Sequence, residues 1–303
     1  MDTCIDRRTF VKAAGLAAGA LAAAGAPRVL ADDKGGKMKK AIGIGMVGEK
    51  KLPLGDRMKL VREVGFDGIE LNSGIGNRDE LKKAIDDAGL GVSEIIDSVH
   101  WNKPFSHASE KVREEGAAGL KIALEECKFF NTTSVLLVPG VVSKQIGYDE
   151  CYTRSQAEIK KFIPMAKELG VKIGIENVWN GFLLSPLEMA RYIDEFESEW
   201  VGSHFDIGNV ANFGFPEQWA RILGKRIVKL HIKEFNVDEA TKKGKWAGFN
   251  WKLGDPGGID WPAVVKALAD AGYTGWATAE FSGGDRDAMK DAADRMDKVL
   301  QLK

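Results

Sequence analysis

Four side chains that can bind a metal follow four successive apolar runs: Glu176 in Ile173-Gly174-Ile175-Glu176-Asn177, Asp206 in Ser203-His204-Phe205-Asp206-Ile207-Gly208-Asn209, His231 in Lys229-Leu230-His231-Ile232-Lys233, and Glu280 in Thr278-Ala279-Glu280-Phe281. One buried carboxylate without a partner is costly, and three side by side call for a neutralising cation. Carboxylate oxygens with one imidazole suit one divalent ion of intermediate hardness. Mn2+ is the first choice, with Mg2+, Co2+ or Zn2+ as alternatives; a carboxylate-rich shell without cysteine is not that of a structural zinc. An ion held there is a Lewis acid that polarises a carbonyl and stabilises charge on neighbouring oxygens.

Such a cluster needs strands that end at one height. From residue 40 onward short apolar runs alternate with amphipathic helical stretches. The runs are 41–47, 68–71, 92–99, 134–138, 171–176, 202–207, 227–232 and 275–281. Helical stretches are expected at 55–64, 78–88, 108–127, 149–169, 186–196, 216–223, 261–271 and 285–302. Uninterrupted apolar runs are those of strands buried on both faces. Gly65, Gly89, Gly170 and Gly272 stand where helices end, a position that favours positive φ. Eight strand–helix units in this length predict an α/β fold: a single-domain (β/α)8 TIM barrel over residues 40–303, with its site at the C-terminal ends of the strands. The competitor is an open doubly wound sheet. It draws on Gly43-Ile44-Gly45-Met46-Val47-Gly48, a formal dinucleotide-binding pattern with Glu70 at the end of the next run. No helix opens at once after Gly48, so Gly43 and Gly45 read better as small barrel residues near the site.

Residues 1–31 read as a leader. Asp6-Arg7-Arg8-Thr9-Phe10-Val11-Lys12 is a twin-arginine pattern, Ala13–Ala26 is apolar but weakly hydrophobic, and Val29-Leu30-Ala31 offers a cleavage site. Export by the twin-arginine route to a periplasmic or other extracytoplasmic location is expected, with residues 32–39 as a linker. The chain's net charge of −1 becomes −3 without the leader, which carries four basic and two acidic residues. That balance argues against nucleic acid as a partner, and the short apolar run against stable membrane insertion. Only Cys127 and Cys151 remain after the leader, too few for a disulfide framework.

On the stretches quoted above, together with His231-Ile232-Lys233-Glu234 and residues 253–280, the chain resembles the xylose isomerase-like TIM-barrel superfamily. The nearer branch is that of sugar phosphate isomerases and epimerases, with ketose 3-epimerases and hexulose-phosphate isomerase-like proteins. The likeness spans about residues 40–300 and is strongest after 170. It implies the same metal set, Glu176, Asp206, His231 and Glu280, and makes Glu176 and Glu280 the acid–base pair as well. Two departures stand out: Asn209 where a histidine is frequent, and Glu234 where aspartate is usual.

The chemistry that follows is removal of a proton next to a ketone to give an enediolate. Return on the opposite face epimerises; transfer to the neighbouring carbon isomerises. The expected partner is a small sugar or keto-sugar, with phosphorylation open and export favouring a free sugar; a homodimer or higher homo-oligomer is a fold-level analogy. Further substrate contacts are assigned to His100, Trp101, Asn177, Trp179, Asn209, Lys233 and Glu70. Residues 236–258, with Trp246, Phe249, Trp251 and three lysines, read as a lid or specificity loop. Alternatives on the same barrel are a lyase or dehydratase acting on a keto-sugar or keto-glycoside and, lower, a non-catalytic sugar-binding barrel. A phosphodiesterase with a multi-metal cluster would need more histidines than His100, His107, His204 and His231.

Overall fold

The structure, a computed structural model, describes residues 37–302 apart from 250, 251 and 257. The twin-arginine leader, most of the linker and Trp251 lie outside the described residues. In chain order the elements are β1 (Lys39–Gly43), α1 (Leu54–Glu63), β2 (Gly68–Asn72), α2 (Arg78–Asp87), β3 (Gly91–Ile96), α3 (Glu110–Phe129), β4 (Ser134–Leu137), α4 (Tyr148–Lys160), α5 (Ile163–Leu169) and β5 (Lys172–Glu176). Then follow α6 (Pro186–Asp194), β6 (Val201–Asp206), α7 (Ile207–Ala211), α8 (Pro216–Leu223), β7 (Ile227–Ile232), α9 (Val237–Lys243), α10 (Trp261–Asp270), β8 (Trp276–Ala279) and α11 (Arg286–Val299).

The strands form one closed barrel in sequence order, and β8 returns parallel to β1. Closure removes the open-sheet alternative. Nor does the glycine pattern open a helix: β1 stops at Gly43, residues 44–46 make one 3-10 turn, and α1 begins ten residues after Ile44 at Leu54. The Gly48 N–H donates to the Gly284 carbonyl at 2.9 Å, tying the β1 loop to the β8 loop. A side chain at Gly48 would collide with that carbonyl.

Helices α1, α2 and α3 pack against the strands with Met58, Val61, Ile85, Leu120 and Leu124 fully or nearly fully buried. At the N-terminal end of the barrel the Trp276 ring fills space left by Gly68 and Gly91, where an added Cβ would lie 2.6 and 2.9 Å from it. Gly170 ends α5 at φ 71°, the left-handed conformation that glycine adopts without a Cβ penalty. Three expectations are corrected. The helix expected over 149–169 is two, α4 and α5, because Pro164 has no N–H to donate and its ring clashes with the carbonyl four residues back. A short helix α7 follows β6 directly, nucleated by Asp206, whose Oδ1 accepts the Asn209 N–H at 2.8 Å. Residues 236–258 are not a bare loop: they hold α9, capped by Asn236, and a 3-10 stretch at Lys245–Phe249. Among the described residues no helix is long and apolar enough to cross a membrane.

Candidate metal centre

Side chains alternate in and out along a strand. Glu176 and Asp206 are the last residues of β5 and β6, His231 is the penultimate residue of β7, and Glu280 directly follows β8. The Glu280 N–H donates to the Ile232 carbonyl at 2.9 Å, which continues the ladder by one residue. Asp206 lies in register with His231. The four residues, all buried except a partly exposed Glu280, each offer a ligand atom, and these atoms lie within 4.8 Å of one another.

His231 shows what the cluster is built for. Its Nε2 is 2.8 Å from Glu70 Oε1. Its Nδ1 faces Glu280 Oε2 at 3.1 Å, Glu176 Oε1 at 3.3 Å and Asp206 Oδ2 at 3.8 Å. That nitrogen is buried and has no partner of good hydrogen-bond geometry. With Nε2–H donated to Glu70, Nδ1 is the nitrogen turned among three carboxylates; once deprotonated it presents a lone pair there, the arrangement of a metal-bound histidine held by a carboxylate. The donor set fits one divalent cation.

The electrostatics agree. Among the described residues the ion-pair partners of Glu70, Glu176, Asp206 and Glu280 are His231 and Lys233, which leaves negative charge in excess within this group even with the imidazole protonated. Burial, reinforced by Glu280 and Glu176, pushes the Asp206 carboxyl up to about 7 despite Lys233. Burial would raise Glu280 too, but its contacts with His231 and Lys233 win and hold it well below the usual carboxylate range. Burial would lower His231; Glu70, Glu176 and Glu280 outweigh it and raise it.

Lys233 reaches the cluster, as strand alternation predicted. Its Nζ lies 2.7 Å from both Asp206 Oδ2 and Glu280 Oε2. Its stem crosses Gly208, where any Cβ would collide with Lys233 Cγ. Trp101, Trp179 and Asn209 line the cleft above the ligands. Trp101 is about half exposed, and Trp179 donates its indole N–H to the Asn209 carbonyl at 2.9 Å.

Other assignments change place. Asn177 is buried and gives its amide to the backbone of Asp206, donating to the carbonyl at 2.7 Å and accepting from the N–H at 3.0 Å. Asn209 spends both amide hydrogens, on Asp206 Oδ2 at 2.8 Å and the Asn177 carbonyl at 3.0 Å. These asparagines hold Asp206 in place instead of offering free amide donors to a sugar. Glu70 is buried behind His231, and His100 is buried with Nδ1 accepting the Val138 N–H at 3.2 Å. Neither lines the cleft. Burial drives the His100 imidazole down to about 4, leaving it neutral.

Beneath the ligands lies a polar layer that the sequence reading missed. Gly174, His204, Lys229 and Thr278 each precede a ligand by two residues and so share its face. The His204 ring meets His231 edge-on at 4.2 Å between centroids. His204 Nδ1 lies 2.6 Å from Glu94 Oε2, and Glu94 Oε1 accepts from Ser134 Oγ at 2.6 Å. Burial lifts Glu94 to about 7 and drops His204 to about 3.

The xylose isomerase-like TIM barrel family model matches residues 58–299. The chain belongs to that family. Among relatives, the uncharacterized protein MJ1311 of Methanocaldococcus jannaschii is 26% identical over 202 residues, 62% of this chain and 65% of that one. The putative L-ribulose-5-phosphate 3-epimerase SgbU of Escherichia coli is 22% identical over 75% of this chain and 82% of its own. An inosose dehydratase of Geobacillus thermodenitrificans is 25% identical over 71% of this chain and 78% of its own. The same fold is found in a D-tagatose 3-epimerase-like protein, with TM-score 0.73 and 19% identity over 88% of this chain and 98% of that one. It recurs in a Mycobacterium smegmatis barrel in complex with magnesium, with TM-score 0.67 and 18% identity over 88% and 96%. The chain is thus a barrel of the kind that sugar epimerases use.

Proposed function

We propose that this protein is a divalent-metal-dependent sugar isomerase or epimerase that moves a proton beside a carbonyl, with Mn2+ as the ion. The observation that carries the reading is His231 Nδ1, buried among Glu176, Asp206 and Glu280 with none of them in good hydrogen-bond geometry, while Glu70 takes the other ring nitrogen. These four residues would hold the ion, which supplies Lewis-acid polarisation of a substrate carbonyl. Glu176 and Glu280 approach the centre from strands three places apart around the barrel. A carboxylate on each side of a sugar can take a proton from one face and return it to the other. Lys233 Nζ, beside both Asp206 and Glu280, is placed to donate to a substrate oxygen that gathers charge. Trp101 and Trp179 offer apolar faces against which a sugar ring packs.

The test is exchange with solvent. Metal-loaded protein incubated with ketoses in D2O should introduce deuterium at the carbon next to the carbonyl, and Glu176→Gln or Glu280→Gln should slow this by about 100- to 10,000-fold. Wash-in that survives both substitutions, or none with any ketose tried, contradicts the proposal. The similarity to an inosose dehydratase supports one second reading, in which the same proton removal leads to loss of water. Product mass separates the two, since isomerisation leaves it unchanged.

A further inference from the structure

The cleft above the metal ligands has a volume of about 910 Å³, towards the upper end of the ~300–1,000 Å³ of small-molecule sites. One sugar ring at the ligands leaves much of it empty. Its lining includes Glu176 and Glu280 at the strand ends and, as a second arm, Lys252 with Asp291 and Arg295 of α11.

The same cleft carries an aromatic wall. The ring centroids of Trp246 and Phe249 lie 5.0 and 5.1 Å from that of Trp179. The wall starts beside the ligands, since Phe249 lies 5.3 Å from Lys233 Nζ. Trp246 is 66% exposed at the cleft, with Lys245 Nζ 5.0 Å from its ring centroid, an exposed aromatic of the kind that stacks on ligands. In the outer arm, Arg295 Nε lies 3.1 Å from both oxygens of Asp291. Its Nη1 donates to Asp255 Oδ1 at 2.9 Å, and Lys252 Nζ donates to Asp291 Oδ2 at 2.9 Å. The guanidinium is thereby held in a fixed plane, with Nη2 engaged by none of these partners. Lys252 and Arg295 are each paired with a carboxylate, Asp291 or Asp255, and an alternation of fixed donors and acceptors matches the hydroxyl groups of a saccharide.

We infer that the arm formed by Trp246, Lys252, Asp291 and Arg295 is a second sugar subsite, so that the substrate is a keto-glycoside or keto-disaccharide with its reacting ring at the metal ligands. This rests on the sugar isomerase reading only for the identity of the first ring.

The test is calorimetric binding to the metal-loaded full chain. D-fructose is compared with turanose, leucrose and isomaltulose, which attach a glucosyl group to different hydroxyls of the same ketose. At least one disaccharide should bind about tenfold or more tighter than D-fructose. Trp246→Ala and Asp291→Asn should each remove most of that gain while leaving D-fructose binding and its deuterium exchange unchanged. Both side chains are exposed enough that neither change opens the core. Disaccharides no tighter than D-fructose, a gain that survives both substitutions, or no binding by any of the four sugars would overturn the inference. Deuterium exchange from D-fructose reports separately on the chemistry at the first ring: it can persist when the subsite fails.

Discussion

At the scale of single residues, the centre depends on which nitrogen of His231 is free. Glu70 settles this from across the barrel, accepting from Nε2 at 2.8 Å and so leaving Nδ1 as the ligand atom. Glu70→Gln keeps every ligand but weakens that control, because an amide offers a donor as readily as an acceptor. It should reduce metal affinity by about 10- to 100-fold, read by titration against a competing chelator. Unchanged affinity would mean that Glu70 only fills space. Asn209 shows the opposite case. A polar residue three positions after a ligand looks available to substrate, but both its amide hydrogens serve Asp206 and Asn177. Donors that look free in a sequence can be committed to local turns in the fold.

At the scale of elements, Glu234 explains how the chain after β7 becomes a wall of the cleft. It is buried and accepts from the Gly254 N–H at 2.7 Å, the Ile259 N–H at 2.8 Å and the Trp261 indole N–H at 2.8 Å. Its departure from aspartate, visible in the sequence, concerns loop anchoring and not the ligand cluster. Glu234→Ala strands these three donors and the Phe235 N–H, which Glu234 Oε1 accepts at 3.2 Å, at a cost of about 1 kcal/mol or more each. The Michaelis constant for the exchange reaction should rise about tenfold, with a smaller change in turnover, and limited proteolysis should begin to cut near residues 250–258. An unaltered Michaelis constant with a protease-resistant chain would contradict this. The strand pattern made the barrel and the convergence of Glu176, Asp206, His231 and Glu280 legible, because strands buried on both faces read as unbroken apolar runs and period-2 alternation fixes which residues share a face. The same alternation marks His204 and Lys229, two residues before Asp206 and His231, but their partners Glu94 and Thr133 come from β3 and from the residue just before β4. The Glu70–His231 contact joins residues 161 apart in sequence. Contacts set by barrel closure leave no local trace. The α4–α5 break, by contrast, is written in Pro164, which interrupts an otherwise continuous helical period.

At the scale of the whole molecule, the barrel interior departs from an apolar filling. Glu94, His204 and Lys229 lie at most 2% exposed in its middle. Glu94, raised by burial from the ordinary 4.5 to about 7, binds a proton in the folded chain that the unfolded chain has already released over that window. The folded state holds more protons between those values, so this residue's contribution to stability falls as pH rises from about 4.5 through 7, by a total on the order of 3 kcal/mol. Thermal unfolding of wild type and Glu94→Gln from pH 5 to 8 isolates it. The wild type should lose stability relative to the variant as pH rises, and parallel curves would contradict the assignment. The barrel's closure matters above all to the ligands, which come from four strands and meet only because the sheet returns on itself. The most direct measurement is elemental analysis of the full chain, loaded with Mn2+ and desalted, alongside His231→Ala and Asp206→Asn. About one ion per wild-type chain, and less than about a tenth in either variant, is the predicted result. Equal metal content in all three proteins, or a wild type that retains none, would contradict it.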